Sequence, residues 1–517
     1  MCVLLLVLAS PCGMAQTTQC VSQFSPNPAP PYTTWDTAAH TIQEAVDVSR
    51  EGDTVLVAEG EYPLTAQIRI DKAIVLRSVR GAGQTILDGQ WETRCLWISN
   101  SFAVVDGFTM TRGHEMEGGA LAGGVVMIGG VLSNCIVKRP ASPFSEGRLV
   151  HCSSGGLITD CHIGENKAFA AKGAGVYLTH SQLRNSTISE MLCTLAYGGA
   201  DDGAGVYAIS STISGCTFTG NWARRAGGGA YFDGCEVDRC IISSNRSGVH
   251  LLTAGLGGGI FATNSVIRNS LIAANFAENG YDSETARAGG LPGVAGGVYL
   301  QGGSLINCTV TGNRTQTSTE RAGSPKGGGI LLENANVRNS ILYFNSAPSG
   351  ANWHDAGGGS FDHTCTTPAP DGVGNFVADP QFVDGTNGNY RLSSTSPCFD
   401  AGANEDWMFG ATDLDGAPRI YHGTVDPGAW ESTNTPPTIS DPNKQAVRFT
   451  QTRANSGVLR SMIQGLVGHG KIIVESSTDL IEWLPVHTNT ITGDTFELVE
   501  PIGPGSQRHF FRAVIRN

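Results

Sequence analysis

The chain has 517 residues, a formal net charge of −13, 68 glycines and only 15% charged residues. An acidic chain of this kind argues against nucleic acid or an anionic membrane as partner of the whole surface. The composition is turn-rich but not that of a disordered chain, which would carry a larger charged fraction.

In chain order, residues 3–9 form an apolar run, and Gly13 and Ala15 after it suit cleavage by a signal peptidase. Residues 1–15 are therefore expected to be a signal peptide, and the protein to be secreted or at the cell surface. No other segment is long and apolar enough to span a membrane. Thr41-Ile-Gln-Glu44 is a capping box that opens a short helix reaching about Ser49. Strand-like runs follow (DTVLVAEGEY, AIVLRSV, QTILDG, FAVVDGFTM), whose open edge the helix is expected to cover.

Between Val125 and Asn345 one pattern recurs: glycines, a short apolar strand, and a second strand built around Asn-Cys or Asn-Ser. Clear copies are GAGVY with TISGCTFTGN, GGGIF with VIRNSLIAAN, and GGGIL with NVRNSILYFN. The marker Cys135, Cys161, Ser186, Cys216, Cys240, Ser270, Cys308 and Ser340 recurs at steps of 24 to 38 residues. A constant floor with variable excess means a fixed unit plus insertions. The segments are short, β-branched and period-two, so each unit predicts one coil of a parallel β-helix.

Alternation then assigns faces. Cys308 and Val310 share a face, as do Cys161 and Ile163, and that face is expected to be interior. A residue exchangeable with Ser there is a small core filler. Cys135–Cys161 and Cys216–Cys240 lie in successive coils, so bridges are geometrically possible. The Asn closing each copy (Asn166, Asn221, Asn245, Asn275, Asn313, Asn345) suits either a left-handed turn or an axial stack of side chains. Tyr177, Tyr207, Tyr231, Phe261 and Tyr299 take the opposite face from their inward neighbours and predict an external aromatic ladder, a candidate platform for sugars.

The insertions follow the closing Asn and are expected to emerge along one edge, where binding residues concentrate. They carry Arg224, Arg225, Arg246, Arg287, Arg314, Arg321 and Lys326, a locally basic rim on an acidic chain that suits a polyuronate or sulfated glycan. Weak candidates for chemistry are Asp201 and Asp202, paired in a glycine-rich loop, together with Arg225, His250 and Arg287. No Cys/His spacing of a zinc site is present.

After Asp371 the repeats stop. DPQFVD, NGNYRL, SPCFDAG, DLDGAPR and VDPGAWE follow, ending at Glu431. These motifs resemble the terminal, choice-of-anchor segment of secreted bacterial right-handed parallel β-helix proteins of the pectin-lyase-like superfamily. TIQEAVDVSREGDTVLVAEGEY resembles the start of the same proteins. The resemblance covers roughly residues 36–432. It implies their fold and an extracellular polysaccharide or cell envelope as partner. It also implies Arg- or Lys-driven lyase chemistry, often with calcium, or hydrolase chemistry on paired carboxylates. Asp201-Asp202 is similar to the paired aspartates of polygalacturonase-like hydrolases. Asp413 and Asp415 read as turn formers, with calcium as the alternative.

The expected organisation is a β-helix over 36–370, its terminal segment over 371–432, a linker over 433–444 and a small antiparallel β-sandwich over 445–517. A monomer is expected. The leading functional expectation is binding, with lyase-type cleavage the more fitting chemistry. The alternative is a non-catalytic, adhesin-like stalk whose repeat serves rigidity.

Overall fold

The computed structural model describes residues 16–114, 122–138, 147–168, 172–193, 202–248, 254–279, 292–316 and 324–433, and strands between 448 and 516. Two compact units divide at Asn434. The expected signal peptide and most of the expected linker lie outside the described residues.

The first unit is an all-β parallel solenoid. One coil contributes three strands, for example Val206–Ile209, Thr212–Ser214 and Thr217–Thr219. Each pairs in parallel with its counterpart one coil on: Val206 with Ala230, Thr212 with Glu236, Thr217 with Ile241. Three ladders result. The first runs from Ile68–Ile70 to Trp353–Asp355, the second from Thr18–Val21 to Ser360–Asp362, and the third from Gly60–Pro63 to Cys365–Thr366. The second ladder therefore starts upstream of residue 36, on a strand whose Gln19-Cys-Val lacks an obvious repeat signature. Helix Ile42–Val48 follows it with the expected capping box, and Ile42, Ala45 and Val46 are buried.

The predicted inward residues are inward. Every marker Cys or Ser is buried, and one apolar cluster runs from Val21 to Phe361. The twelve described cysteines are free thiols, so neither Cys135–Cys161 nor Cys216–Cys240 is bridged. Burial pushes the Cys308 thiol up to about 12, which suits an inert core filler.

The closing Asn residues turn inward rather than adopting the left-handed conformation. That conformation belongs to the residue before each, Glu165, Gly220, Ser244, Ala274, Gly312 and Phe344, and to Glu190 before Met191, which takes the Asn place in its coil. The Asn side chains chain together along the axis. Asn221, Asn245, Asn275 and Asn313 each donate both their backbone N–H and Nδ2 to the Oδ1 of the next, at 2.9–3.0 Å. The glycine runs are packing requirements: a Cβ on Gly258 would sit 2.3 Å from the Gly296 carbonyl oxygen of the next coil.

Residues 376–432 do not extend the coil. They run back along the third ladder as a strap. Asn307 Nδ2 donates to Asp426 O at 3.1 Å, Asn339 Nδ2 to Ala403 O at 2.9 Å, and Arg239 Nη1 to Thr412 Oγ1 at 3.0 Å. Ala429 and Trp430 cover Leu271 and Ala273, while Leu392 and Cys398 cover Ile341 and Cys365. The strap thus seals an apolar outer face that the repeat leaves in the later coils.

The second unit holds two three-stranded antiparallel sheets, Arg448–Asn455/Val458–Gln464/Thr495–Pro501 and Leu484–Thr490/Lys471–Ser477/Phe510–Arg516. Val474 and Leu498 are buried. Among the described residues no helix is long and apolar enough to cross a membrane.

Candidate functional site

Each first-ladder strand points two residues inward and the one between them outward, which follows from the period of two. Register aligns the outward positions into one row: Arg69, Trp97, Val126, His151, Tyr177, Tyr207, Tyr231, Phe261, Tyr299, Leu331 and His354. The five predicted aromatics are all in it, and Trp97 and His151 extend it.

The rings stack on one another. Centroids are 5.2 Å apart for His151–Tyr177, 5.5 Å for Tyr177–Tyr207, 4.5 Å for Tyr207–Tyr231 and 5.0 Å for Tyr231–Phe261, with planes within 15°. Phe261–Tyr299 breaks the stack at 87°. Within the stack the ring faces are taken up by neighbouring rings. Val126, Tyr207 and Leu331 of the row are buried, and Tyr177, Tyr231, Phe261 and Tyr299 are half-buried. Burial, then Tyr207 and Asp202, pushes the Tyr231 hydroxyl up to about 12, and burial foremost raises Tyr207 as well. Both therefore stay protonated at neutral pH and can donate. Burial together with Arg148 and Arg94 lowers His151 to about 4, so it joins the stack as a neutral ring.

Cations gather on the earlier half of the row. Arg69 and Arg94 lie 5.5 and 5.3 Å from the Trp97 ring centroid, Arg148 4.2 Å from Tyr177, and Lys172 4.9 Å from Tyr207. Lys172 Nζ also donates to the Tyr207 hydroxyl at 3.4 Å. Further along, the charge reverses. Tyr299 donates to Glu333 at 3.2 Å, and Asp233 and Glu333 occupy the adjacent outward row.

Of the basic rim expected on the later coils, Arg225 and Arg246 are ion-paired, while Arg314 and Lys326 are exposed. Arg225 donates Nε to Asp202 Oδ1 at 2.8 Å and Nη2 to its other oxygen, and Asp202 is only 1% exposed. Both oxygens of this catalytic candidate are taken up by a structural ion pair. Arg246 is paired with Glu278. Arg224 is partly buried, with Nη1 lacking a partner. Asp201, His250, Arg287 and Arg321, with most of the long insertions, lie outside the described residues. Asp413 accepts from the backbone N–H groups of Asp415, Ala417 and Glu431 at 2.8–3.0 Å, and Asp415 pairs with Arg391, so both anchor the turn and the strap.

Arg314 belongs to a second column that the repeat pattern did not suggest. The residue after each buried Asn, or after Met191 in the coil that lacks one, points outward, and register aligns Leu192, Trp222, Arg246, Phe276 and Arg314. Arg246 lies 4.1 Å from the Trp222 centroid and Arg314 4.4 Å from Phe276, so cations alternate with rings. Its signal was present as the residue following each Asn, which alternates in chemistry rather than repeating.

Residues 149–347 match the family model described as right handed beta helix region. No curated protein matches the chain. Among solved structures, pectate lyase Pel9A aligns at 16% identity over 80% of this chain and 97% of its own, with a TM-score of 0.43. The A-module of the Azotobacter vinelandii mannuronan C-5 epimerase AlgE4 aligns at 13% identity, 62% and 94% coverage and a TM-score of 0.32. The alginate lyase AlyGC of family PL6 aligns at 12%, 76% and 58%, and 0.28. The described architecture and the matched segment agree on a right-handed parallel β-helix over the centre of the chain.

Proposed function

We propose that the chain binds an acidic extracellular polysaccharide along the earlier half of the first-ladder row, from Trp97 to Tyr231. The carrying observation is the set Arg69, Arg94, Arg148 and Lys172 set against an in-register row of aromatic rings. Coils repeat about every 4.8 Å, comparable to the advance of one sugar in an extended glycan. Charged sugars then meet successive cations, and the hydroxyls of Tyr177, Tyr207 and Tyr231 bond the ring substituents. The apolar leader at residues 3–9 fits export to where such polymers occur.

Binding is the reading adopted; the ion pair with Arg225 occupies both oxygens of Asp202 and speaks against hydrolysis at that carboxylate. The test is a titration of the full chain with polygalacturonate, alginate and chondroitin sulfate, and with neutral xylan and glucan. At least one acidic polymer is expected to bind, with affinity falling as salt rises through the Debye-screening range. Equal affinity for neutral polymers at all ionic strengths would remove this reading. Release of unsaturated uronate, followed by ultraviolet absorbance, would add lyase activity to it.

One observation favours a structural stalk as the second reading. Rings that stack on rings, like the buried Asn chain, stabilise coil stacking whether or not a ligand binds.

A further inference from the structure

Where the strap passes over the later coils it leaves a recess against them. The recess holds about 460 Å³ and is lined by Gly312, Phe344, Asp379, Phe382 and Tyr390 among others. That volume lies within the ~300–1,000 Å³ usual for small-molecule sites. Gly312 keeps its floor open, since the nearest atom to a Cβ added there is Ala274 N at 3.8 Å. Phe344 takes the same turn position one coil on, and 53% of it is exposed.

Three rings wall the recess at steep angles to one another. Phe344 and Phe382 meet with centroids 6.1 Å apart and planes at 61°, and Phe382 and Tyr390 at 5.4 Å and 76°. In the first-ladder row ring faces close on ring faces; here the rings form a corner. The corner is held from behind by two buried clusters. Phe382 packs on Ile341, Cys365, Leu392 and Cys398, and Tyr390 on Leu271, Ala273, Ala429 and Trp430. The rings are thus set in place before any ligand arrives, which lowers the cost of binding one.

Charge then selects the occupant. No Lys, Arg or His lines the recess, and Asp379 supplies its carboxylate. One oxygen of Asp379 accepts from the Gln381 N–H at 2.8 Å, and no described cation pairs with either oxygen. Aromatic faces carry the negative side of the ring quadrupole. Rings and carboxylate therefore both attract a cation and repel an anion. An apolar side chain would strip water from Asp379 and return nothing. A primary ammonium is strongly hydrated and brings three donors, which one carboxylate does not satisfy. A quaternary ammonium has no donors to satisfy, and its methyl groups present positive charge to ring faces.

We propose that this recess binds a small organic cation through a quaternary ammonium group, with Phe344, Phe382 and Tyr390 against its methyl groups and Asp379 as its counter-ion. The site lies beside the third ladder, apart from the cationic first-ladder row, and does not rest on the function proposed for that row. Phe344 belongs to a coil, whereas Asp379, Phe382 and Tyr390 belong to the strap. A ligand held between them stabilises the attached strap by mass action.

The experiment is calorimetric titration of the full chain with tetramethylammonium, choline and the neutral tert-butyl analogue of choline, repeated on Phe344→Gly and Asp379→Asn. Glycine already fills this turn at Gly220 and Gly312, and asparagine keeps an oxygen for the Gln381 N–H, so both variants are expected to fold, with the unfolding midpoint as the check. Choline is expected to bind about tenfold or more tightly than its neutral analogue, and each substitution to weaken it by about tenfold. Choline is also expected to slow proteolysis within residues 376–432. Failure of both cations to bind, equal binding of the neutral analogue, or affinity that survives both substitutions overturns the proposal. A matching loss of affinity for acidic polymers in the two variants would overturn it too, by showing that the substitutions disturb the whole solenoid.

Discussion

Asn275→Ala is expected to destabilise the solenoid by about 3–5 kcal/mol, from two or more buried groups left unpaired. Asn275 is fully buried. Its Oδ1 accepts from Asn245 N at 2.9 Å and Asn245 Nδ2 at 3.0 Å, while its Nδ2 donates to Asn313 Oδ1 and Ile242 O at 2.9 Å each. Alanine removes all four bonds. Asn245 Nδ2 keeps Phe218 O at 2.8 Å, but the Asn245 N–H then points at a methyl group in a site closed to water. Because coils contact only their neighbours, the loss is expected first as local opening. Hydrogen exchange at Asn245 and the flanking coils measures it directly. Unchanged protection there would show that the chain of amides contributes nothing beyond shape.

Arg419→Met is expected to release the strap, at a loss of about 3–5 kcal/mol for a buried ion pair broken on one side. Arg419 is fully buried. It donates Nη1 to Gly428 O at 3.1 Å and Nη2 to Asp426 O at 3.2 Å and Glu431 Oε2 at 2.9 Å. Without it, Glu431 and Asp426 share a dry site with no cation. Leu271 and Ala273 then lose their cover, so rapid proteolysis within 376–432 and dye binding to the exposed face are the readouts. A pH effect follows in the wild type. Burial and then Glu431 raise the Asp426 carboxyl to about 7 from an ordinary 3.8, and burial raises Glu431 too. The folded state therefore binds these protons more tightly than the unfolded chain. Stability from Asp426 is fully present below about pH 4 and is lost as pH rises through 7. Strap protection is expected to be greater at pH 5 than at pH 8, and the reverse order would contradict the assignment.

Much of the solenoid was legible because repetition reports the environment many times over. Cys and Ser exchanged at one position, so the position had to be small and interior. Val and Leu flanking a Tyr had to face opposite to it. What repetition hid was chemistry that does not repeat. The cations on the row come from different places relative to each strand (Arg69 within it, Arg94 and Arg148 two residues before it, Lys172 four before), so no column of the pattern showed them. The later arginines looked like a rim from spacing alone, yet Arg225 and Arg246 each find a carboxylate only once the coil brings Asp202 and Glu278 beside them. The ladder aromatics were placed on the right face, but parallel strands in register force rings face to face, and alternation says nothing of ring orientation. DLDGAPR and VDPGAWE were recognisable as motifs. Their work, seating Arg419 between the strap and the later coils, needed contacts between residues some 150 positions apart, as for Arg419 and Asn269.

The most direct measurement is the affinity of the Arg148→Glu, Lys172→Glu double variant for the acidic polymer that the wild-type chain binds. Lys172 is exposed and Arg148 half-buried, so the fold is expected to survive, with the unfolding midpoint as the check. A loss of about a hundredfold or more is expected, since two attractions become repulsions, with a weaker dependence on salt. An affinity within about twofold of the wild type would contradict it and leave the row as scaffold alone.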